Sequence, residues 1–311
     1  MKLFNSKYPI ICAPMNQVSD SKLAIAAHDA GIVPSLTVPF IPSLDEIQMK
    51  INLNQALFEF EQNLMEFRKH TSNGEIIAAF SPKIFSNRNL IEFVLKYKIS
   101  HIEFFERLEQ KDIPILQILR KLNIKIIQKY LTIGATSIED RNKSYVDAVP
   151  HIDAISLKGP DGAARVIDTN ETLMRRYEIL RKKLPTKPII ISGGISTSAE
   201  IKQYLDAGAV AVSLGTVFAL SQESCISHDK KLSLINMSYG DVNKVKAGSM
   251  YQNAIVFTPT PDTDENNSVG LVVGRDSADK GLIFVGKGID NIHSIKPVAQ
   301  IVKELIRDVQ V

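Results

Sequence analysis

The sequence predicts an α/β chain folded as a (β/α)8 TIM barrel with an irregular C-terminal excursion. Three observations predict it. Short apolar runs alternate with longer amphipathic stretches, the rhythm of repeated βα units on a parallel sheet. The chain has 311 residues, a normal length for such a barrel with insertions. The stretch PIIISGGISTSAEIKQYLDAGAVAVSLGTVFALS, residues 188–221, reads twice as strand, glycine turn and helix.

Taken in order, Pro9 to Ala13 is the first strand, ending in Pro14-Met15. Ser19, Asp20 or Ser21 caps a helix that Gly31 ends. Ile32 to Thr37 is a weaker second strand interrupted by Pro34. Ser43 to His70 is helical, with a break expected near Asn52 to Asn54. Ile76 to Phe80, His101 to Phe104 and Lys125 to Tyr130 are strands three to five. Asn87 to Lys96 and Ile113 to Leu122 are the helices between them. Ser137 to Val149 is a helix opening on a capping-box-like S-I-E-D. Ala154 to Leu157 is strand six, and Asn170 to Leu184 a charged helix. Pro188 to Ser192 and Ala209 to Leu214 are strands seven and eight.

Each of the last two strands ends in glycine, Gly193-Gly194 and Gly215-Thr216. Glycine lets backbone N–H groups approach a ligand, and each turn opens a helix whose first amides lack partners. Together they predict an anion site suited to a phosphate, where phosphates commonly sit in this architecture. The first-choice ligand is therefore a phosphorylated cofactor.

After Ser221 the rhythm fails. The reading divides the chain into a barrel over 1–235, an irregular insertion or lid over 236–294, and a C-terminal helix over 295–311. The stripe Val298, Ile301, Val302, Leu305 and Val309 packs that helix back on the barrel. The apolar runs at Ala254 to Phe257 and Leu271 to Val273 interrupt the insertion, and Thr258 to Asn267 is turn-rich.

Bulk properties exclude several classes. Apolar content is 44% and charged content 23%, as in an ordinary soluble protein. Lys and Arg number 37 against 34 Asp and Glu, no footprint for nucleic acid. No run is long and apolar enough to span a membrane, and the N-terminus lacks the shape of a signal peptide. Two cysteines, Cys12 and Cys225, argue for a reducing compartment, so the cytoplasm is expected. The six histidines show no metal-ligand spacing, so no metal is expected.

Barrel active sites lie at the C-terminal strand ends. That rule selects Pro14, Met15, Asn16, Ser81, Glu103, Glu106, Gln128, Lys129, Tyr130, Ser156, Lys158, Ser192, Gly215 and Thr216. It also selects the turn Gly159-Pro160-Asp161-Gly162.

The set resembles the nitronate monooxygenase family, which includes flavin-dependent enoyl-acyl-carrier-protein reductases. PIICAPMNQVSDSKLAIAAHDAG at residues 9–31 carries the family's P-I-x-x-A-P-M, V-S and A-x-x-x-A-G. Gly193-Gly194-Ile195 and Gly215-Thr216-x-Phe218 with Glu223-Ser224 carry its G-G-I and its G-T-x-F with E-S. The likeness covers most of residues 5–225 and the final helix. It implies non-covalent FMN, with its phosphate on Gly193, Gly194, Gly215 and Thr216 and with Ser192 beside it. It further implies Ala13, Pro14 and Met15 along the isoalloxazine and Gln128 and Lys129 near the pyrimidine edge. A cation there suits a flavin, whose reduction places negative charge at N1–O2.

One departure stands out. Many family members follow strand six with G-G-H-x-G, whose histidine is the proposed base. This chain has SLKGPDGAARV, with Ala163 or Ala164 at that place. Lys158, Asp161 and Arg165 are the polar groups offered instead as catalytic residues. A nitronate is already an anion, so a cation can bind one without a base. Asp161 in a glycine turn is more often a turn residue than an acid catalyst.

The resemblance thus implies an FMN-dependent oxidoreductase of the nitronate monooxygenase type, acting on a small anionic substrate with O2. An NAD(P)H-dependent flavin enoyl thioester reductase, with acyl carrier protein as a partner, is the alternative. A catalytically impaired flavin- or phosphate-binding barrel is the alternative from another class. An inosine monophosphate dehydrogenase would need a cysteine after strand six, and none lies between Cys12 and Cys225.

Overall fold

The computed structural model describes residues 2–38, 46–81, 84, 87–105, 108–130, 149–166, 170–247, 250–256 and 282–309, with some side chains at segment edges left out. Eight parallel strands form one sheet: β1 (Ile10–Cys12), β2 (Ser35–Thr37), β3 (Ile77–Phe80), β4 (His101–Phe104), β5 (Lys125–Tyr130), β6 (Ala154–Lys158), β8 (Ile189–Ser192) and β9 (Ala211–Leu214). Their order is β1-β9-β8-β6-β5-β4-β3-β2. A parallel bridge between Ile11 and Val33 joins the two ends, with Val33 N–H donating to Ile10 O at 2.8 Å. The sheet therefore closes as a (β/α)8 barrel, as expected.

The helices are α1 (Ser21–Asp29), α2 (Glu46–His70), α3 (Asn87–Lys96), α4 (Ile113–Lys121), α5 (Leu173–Lys183), α6 (Ser198–Asp206), α7 (Thr216–Ala219), α8 (His228–Leu234) and α9 (Val298–Leu305). Asp20 caps α1 by accepting from Leu23 N–H, and Thr197 with Glu200 forms a reciprocal capping box at α6. Gly208 follows α6 at φ +93°, a backbone conformation that a side chain would strain.

Two expectations need correction. α2 runs unbroken through Asn52 and Asn54. Each asparagine costs only about 0.7 kcal/mol of helix propensity relative to alanine. The buried stripe Ala56, Phe60, Leu64 and Phe67 outweighs that. Within 236–294, three antiparallel strands stand where irregular chain was expected: β10 (Asn243–Ala247), β11 (Met250–Val256) and β12 (Leu282–Phe284). β11 pairs with β10, with β12 and with β7 (Ala164–Val166), which belongs to the connection after β6. The helix expected at 137–149 lies, except for Val149, outside the described residues, as do the runs at 258–267 and 271–273.

The barrel interior has two halves. Ile11, Val33, Ile77, Ile127, Ala154, Ile190 and Ala211 form a buried cluster sealed by Phe4. Their chain neighbours Ile10, Ile126, Ile155, Ile189, Ile191 and Val212 pack instead with the helices. Alternation along a strand therefore fixes the inward set. Continued toward the C-terminal ends, that set becomes Ala13, Thr37, Ser81, Glu103, Lys129, Ser156, Lys158, Ser192, Ser213 and Gly215. The floor is apolar and the mouth is small and polar.

Candidate active site

The backbone makes the first part of the site. β8 and β9 are neighbours in register, Ser192 beside Ser213, so both glycine turns emerge at one end of the barrel. Gly193 and Gly194 adopt φ +97° and +80°. The N–H groups of Gly194, Ile195, Gly215 and Thr216 have no acceptor among the described residues. α7 spans only Thr216–Ala219, so its dipole is small and what the turn offers an anion is its individual amides.

The turn after β6 lies directly on the first glycine pair. A Cβ on Gly193 would stand 3.0 Å from Gly159 N and 3.1 Å from Gly162 Cα. One on Gly194 would stand 3.0 Å from the Asp161 Cβ. Glycine is required at both places by φ and by space. Across the mouth, Met15 comes near Gly215, where an added Cβ would lie 3.6 Å from its Sδ. The loop bearing Ala13, Pro14 and Met15 is shaped by Ser19, whose hydroxyl accepts from Met15 N–H at 2.9 Å and donates to Ala13 O at 3.3 Å.

Polar side chains occupy the mouth beneath these amides. Lys129 Nζ donates to Glu103 Oε1 at 2.9 Å. Glu103 is 1% exposed and Lys129 15%, so the carboxylate is sealed while the lysine keeps some access to solvent. Ser156, the register partner of Lys129, is fully buried, and its hydroxyl has no hydrogen-bond partner among the described residues. Ser192 Oγ donates to Leu157 O at 3.1 Å, so it ties β8 to β6. Lys158 Nζ donates to Ala163 O, turning back under its own loop.

The sequence brought most of the expected residues to this mouth, but not all. Gln128 is buried on the outward face with Ile126. Its amide donates to Phe104 O at 3.0 Å and accepts from Leu108 N–H at 3.2 Å. It supports the chain after β4 and does not reach the interior. Asp161 meets Tyr239, whose hydroxyl lies 3.4 Å from Asp161 Oδ1. Burial and the Asp161 carboxylate push the Tyr239 phenol up to about 12, so it stays a donor. Arg165 lies in β7, and its side chain is outside the described residues, as is Glu106.

Several residues were not foreseen. Asn253 is fully buried and donates to Gly162 O at 2.8 Å and Pro160 O at 3.2 Å. Gly286 N–H donates to Thr216 Oγ1 at 3.2 Å, and Lys287 N–H to Asp161 O at 2.9 Å. The only signal in the sequence was the glycine spacing of GLIFVGKG.

The other titratable groups sit elsewhere. His101 points to the barrel floor, where its Nε2 lies 2.9 Å from Leu3 O and burial pulls it down to about 4. Burial pushes the Cys12 thiol far up, so it is inert. No group of His, Cys, Asp or Glu among the described residues could hold a metal. No described helix is long and apolar enough to cross a membrane.

The fold and this polar mouth place the chain among TIM-barrel enzymes whose ligand sits at the C-terminal strand ends. Residues 159–308, a little under half of the chain, match the family model described as nitronate monooxygenase. The matched stretch contains Gly193, Gly194, Gly215, Thr216 and the β6 turn. No curated protein matches the chain.

Among solved structures, FabK from Thermotoga maritima is similar over 97% of this chain and 93% of its own, with 18% identity and a TM-score of 0.68. A point variant of the same protein gives a TM-score of 0.72 at 18% identity, over 97% and 92% of the two chains. Nitroalkane oxidase from Streptomyces ansochromogenes gives 0.69 at 17% identity, over 98% and 96%. At such identities these likenesses speak for the fold.

Proposed function

We propose that the chain is an FMN-dependent oxidoreductase of the nitronate monooxygenase type, oxidising a small anionic substrate such as an alkyl nitronate with O2. The observation that carries this reading is the set of unpaired amides at Gly194, Ile195, Gly215 and Thr216 above a polar barrel mouth. A phosphate monoester fits them in charge and in its number of acceptors. The orphaned Ser156 hydroxyl and the Lys129 ammonium give the mouth polar groups that a flavin's heterocycle can use. A bound flavin would supply two-electron chemistry and reactivity toward O2.

The chain's own residues then have distinct tasks. The glycine amides hold the phosphate. Met15 and Ala13 border the ring's site across from Gly215. Lys129 places a fixed positive charge where the reduced ring is anionic, and Glu103 fixes the ammonium's position. Lys158, anchored to Ala163 O, offers a cation for the substrate's anionic end, with Arg165 as the second candidate from the same loop. No histidine stands on that loop, so the substrate is one that needs no side-chain base for deprotonation.

The absent base also supports a second reading. A hydride-accepting enoyl thioester needs no proton removed from it, so a flavin enoyl reductase using NAD(P)H, with an acyl carrier protein partner, fits the same loop. A cytoplasmic setting suits either reading. The test is the visible spectrum of the purified protein, then turnover with nitronates under O2 and anaerobic bleaching by NADPH. A colourless preparation that fails to take up added FMN removes both readings. Bleaching by NADPH followed by reoxidation with an enoyl thioester selects the second.

A further inference from the structure

The small sheet beyond the barrel and the segments that flank it touch the site through four residues. Asn253 on β11 is fully buried, and its amide hydrogens reach Gly162 O at 2.8 Å, Pro160 O at 3.2 Å and the Tyr239 hydroxyl at 3.3 Å. Tyr239 reaches Asp161 Oδ1. Lys287 N–H holds Asp161 O. Gly286 N–H holds Thr216 Oγ1, and a Cβ on Gly286 would stand 2.5 Å from Asp161 O and 2.9 Å from Ala163 N.

These contacts converge on one turn. Residues 159–162 are the surface against which Gly193 and Gly194 pack, at 3.0–3.1 Å from where side chains would begin. The turn itself has little to hold it: Gly159 N–H donates to Ser192 O at 2.8 Å, and Gly162 N–H reaches Gly159 O at a long 3.3 Å. Its outward carbonyls, Pro160, Asp161 and Gly162, are all taken by the small sheet and the segment after it. Thr216, from the other glycine turn, is tied to the same segment through Gly286.

We propose that Asn253 and Gly286 are positioning residues for the phosphate cradle: they press the turn after β6 onto Gly193-Gly194 and tie it to Thr216, so that amides from two strand ends aim at one anion. The small sheet is thus the outer wall of the cofactor's phosphate site. The inference rests on the flavin reading above and adds residues that touch no ligand.

The geometry makes a specific demand. A residue that aims amides at a phosphate matters for FMN and not for riboflavin, which has the same ring without the phosphate. A residue that merely supports the fold affects both alike. The experiment titrates the full-length, flavin-stripped chain with FMN and with riboflavin, following flavin fluorescence, for the wild type and for Asn253→Ala, Asn253→Asp, Gly286→Ala and Tyr239→Phe.

Asn253→Ala and Gly286→Ala are expected to weaken FMN by about tenfold or more, the effect of misdirecting one or two hydrogen bonds to a charged group, with riboflavin changed less than about twofold. Asn253→Asp sets a carboxylate against two carbonyls and is expected to weaken FMN at least as much. Tyr239→Phe removes only one hydroxyl and is expected to fall between these and the wild type. Should Asn253→Ala fail to fold, Gly286→Ala and Tyr239→Phe carry the test. Equal weakening of FMN and riboflavin, or an unchanged ratio of the two, overturns the proposal. A wild type that binds neither flavin overturns the flavin reading, and this inference with it.

Discussion

Replacing Gly194 with alanine tests the proposed phosphate cradle at a residue whose amide would face the anion. The wild-type φ is +80°, and the new Cβ would lie 3.0 Å from the Asp161 Cβ. Holding an alanine in a left-handed conformation costs roughly 1–2 kcal/mol before the contact is counted. The chain can respond in two ways. If the backbone holds, the strain is present with and without ligand, and the apoprotein loses that stability. In a chain of 311 residues a loss of 1–2 kcal/mol then lowers the melting temperature by roughly 1.5–3 °C. If the peptide rotates to relieve the strain, the Gly194 and Ile195 amides turn away from the anion. FMN affinity then falls by about 5- to 30-fold, the same free energy read as a binding constant. Calorimetric melting of the apoprotein and fluorescence titration with FMN measure the two terms separately. The losses, expressed as free energy, should together reach at least about 1 kcal/mol. A variant that melts within a degree of wild type and binds FMN within twofold would mean that neither the left-handed backbone nor the amides at Gly194 matter to the fold or to FMN.

Four further outcomes follow from the structure. Lys129→Met should destabilise the chain by about 3 kcal/mol, because it strands the sealed Glu103 carboxylate, and adding Glu103→Leu should restore most of the loss; denaturant melts check this. The same Lys129→Met protein should show a lower flavin midpoint potential by dye-linked titration, and an unchanged potential would remove Lys129 from the ring's edge. Lys158→Ala and Arg165→Ala should each raise KM for an anionic substrate by about tenfold, and turnover indifferent to both would show that the turn after β6 does not bind substrate. The last outcome concerns pH. His101 is about 4 in the folded chain and about 6.5 when unfolded, so the unfolded state binds the extra proton between those values. Stability should therefore fall as pH drops from about 6.5 toward 4, by up to about 3 kcal/mol, and His101→Gln should flatten that fall in urea melts.

The barrel was legible in the sequence because its signals are local. A β-branched run, a glycine at its end and a capping residue two or three positions on are read within a dozen residues. Gly193, Gly194, Gly215 and Thr216 followed from that grammar, and the neighbouring positions of β8 and β9 follow from the regular winding of a barrel. Lys129 and Gln128 show where local reading stops. They are adjacent in KIIQKY, so only one can face the interior. A strand buried on both faces shows no alternation from which to choose, and the register Phe104 beside Gln128 decided for Lys129.

By itself the amino-acid order determined the architecture and set two glycine turns at the C-terminal ends of neighbouring strands. Each of these depends on conformations that a few consecutive residues impose. Tertiary structure alone decided that β11 pairs with β7, that Asn253 reaches a turn 91 positions earlier, and that Gly286 closes against Asp161 and Thr216. Such contacts are selected by the closure of the whole fold, where the shape of one distant surface must match another, and no short stretch of chain encodes that match.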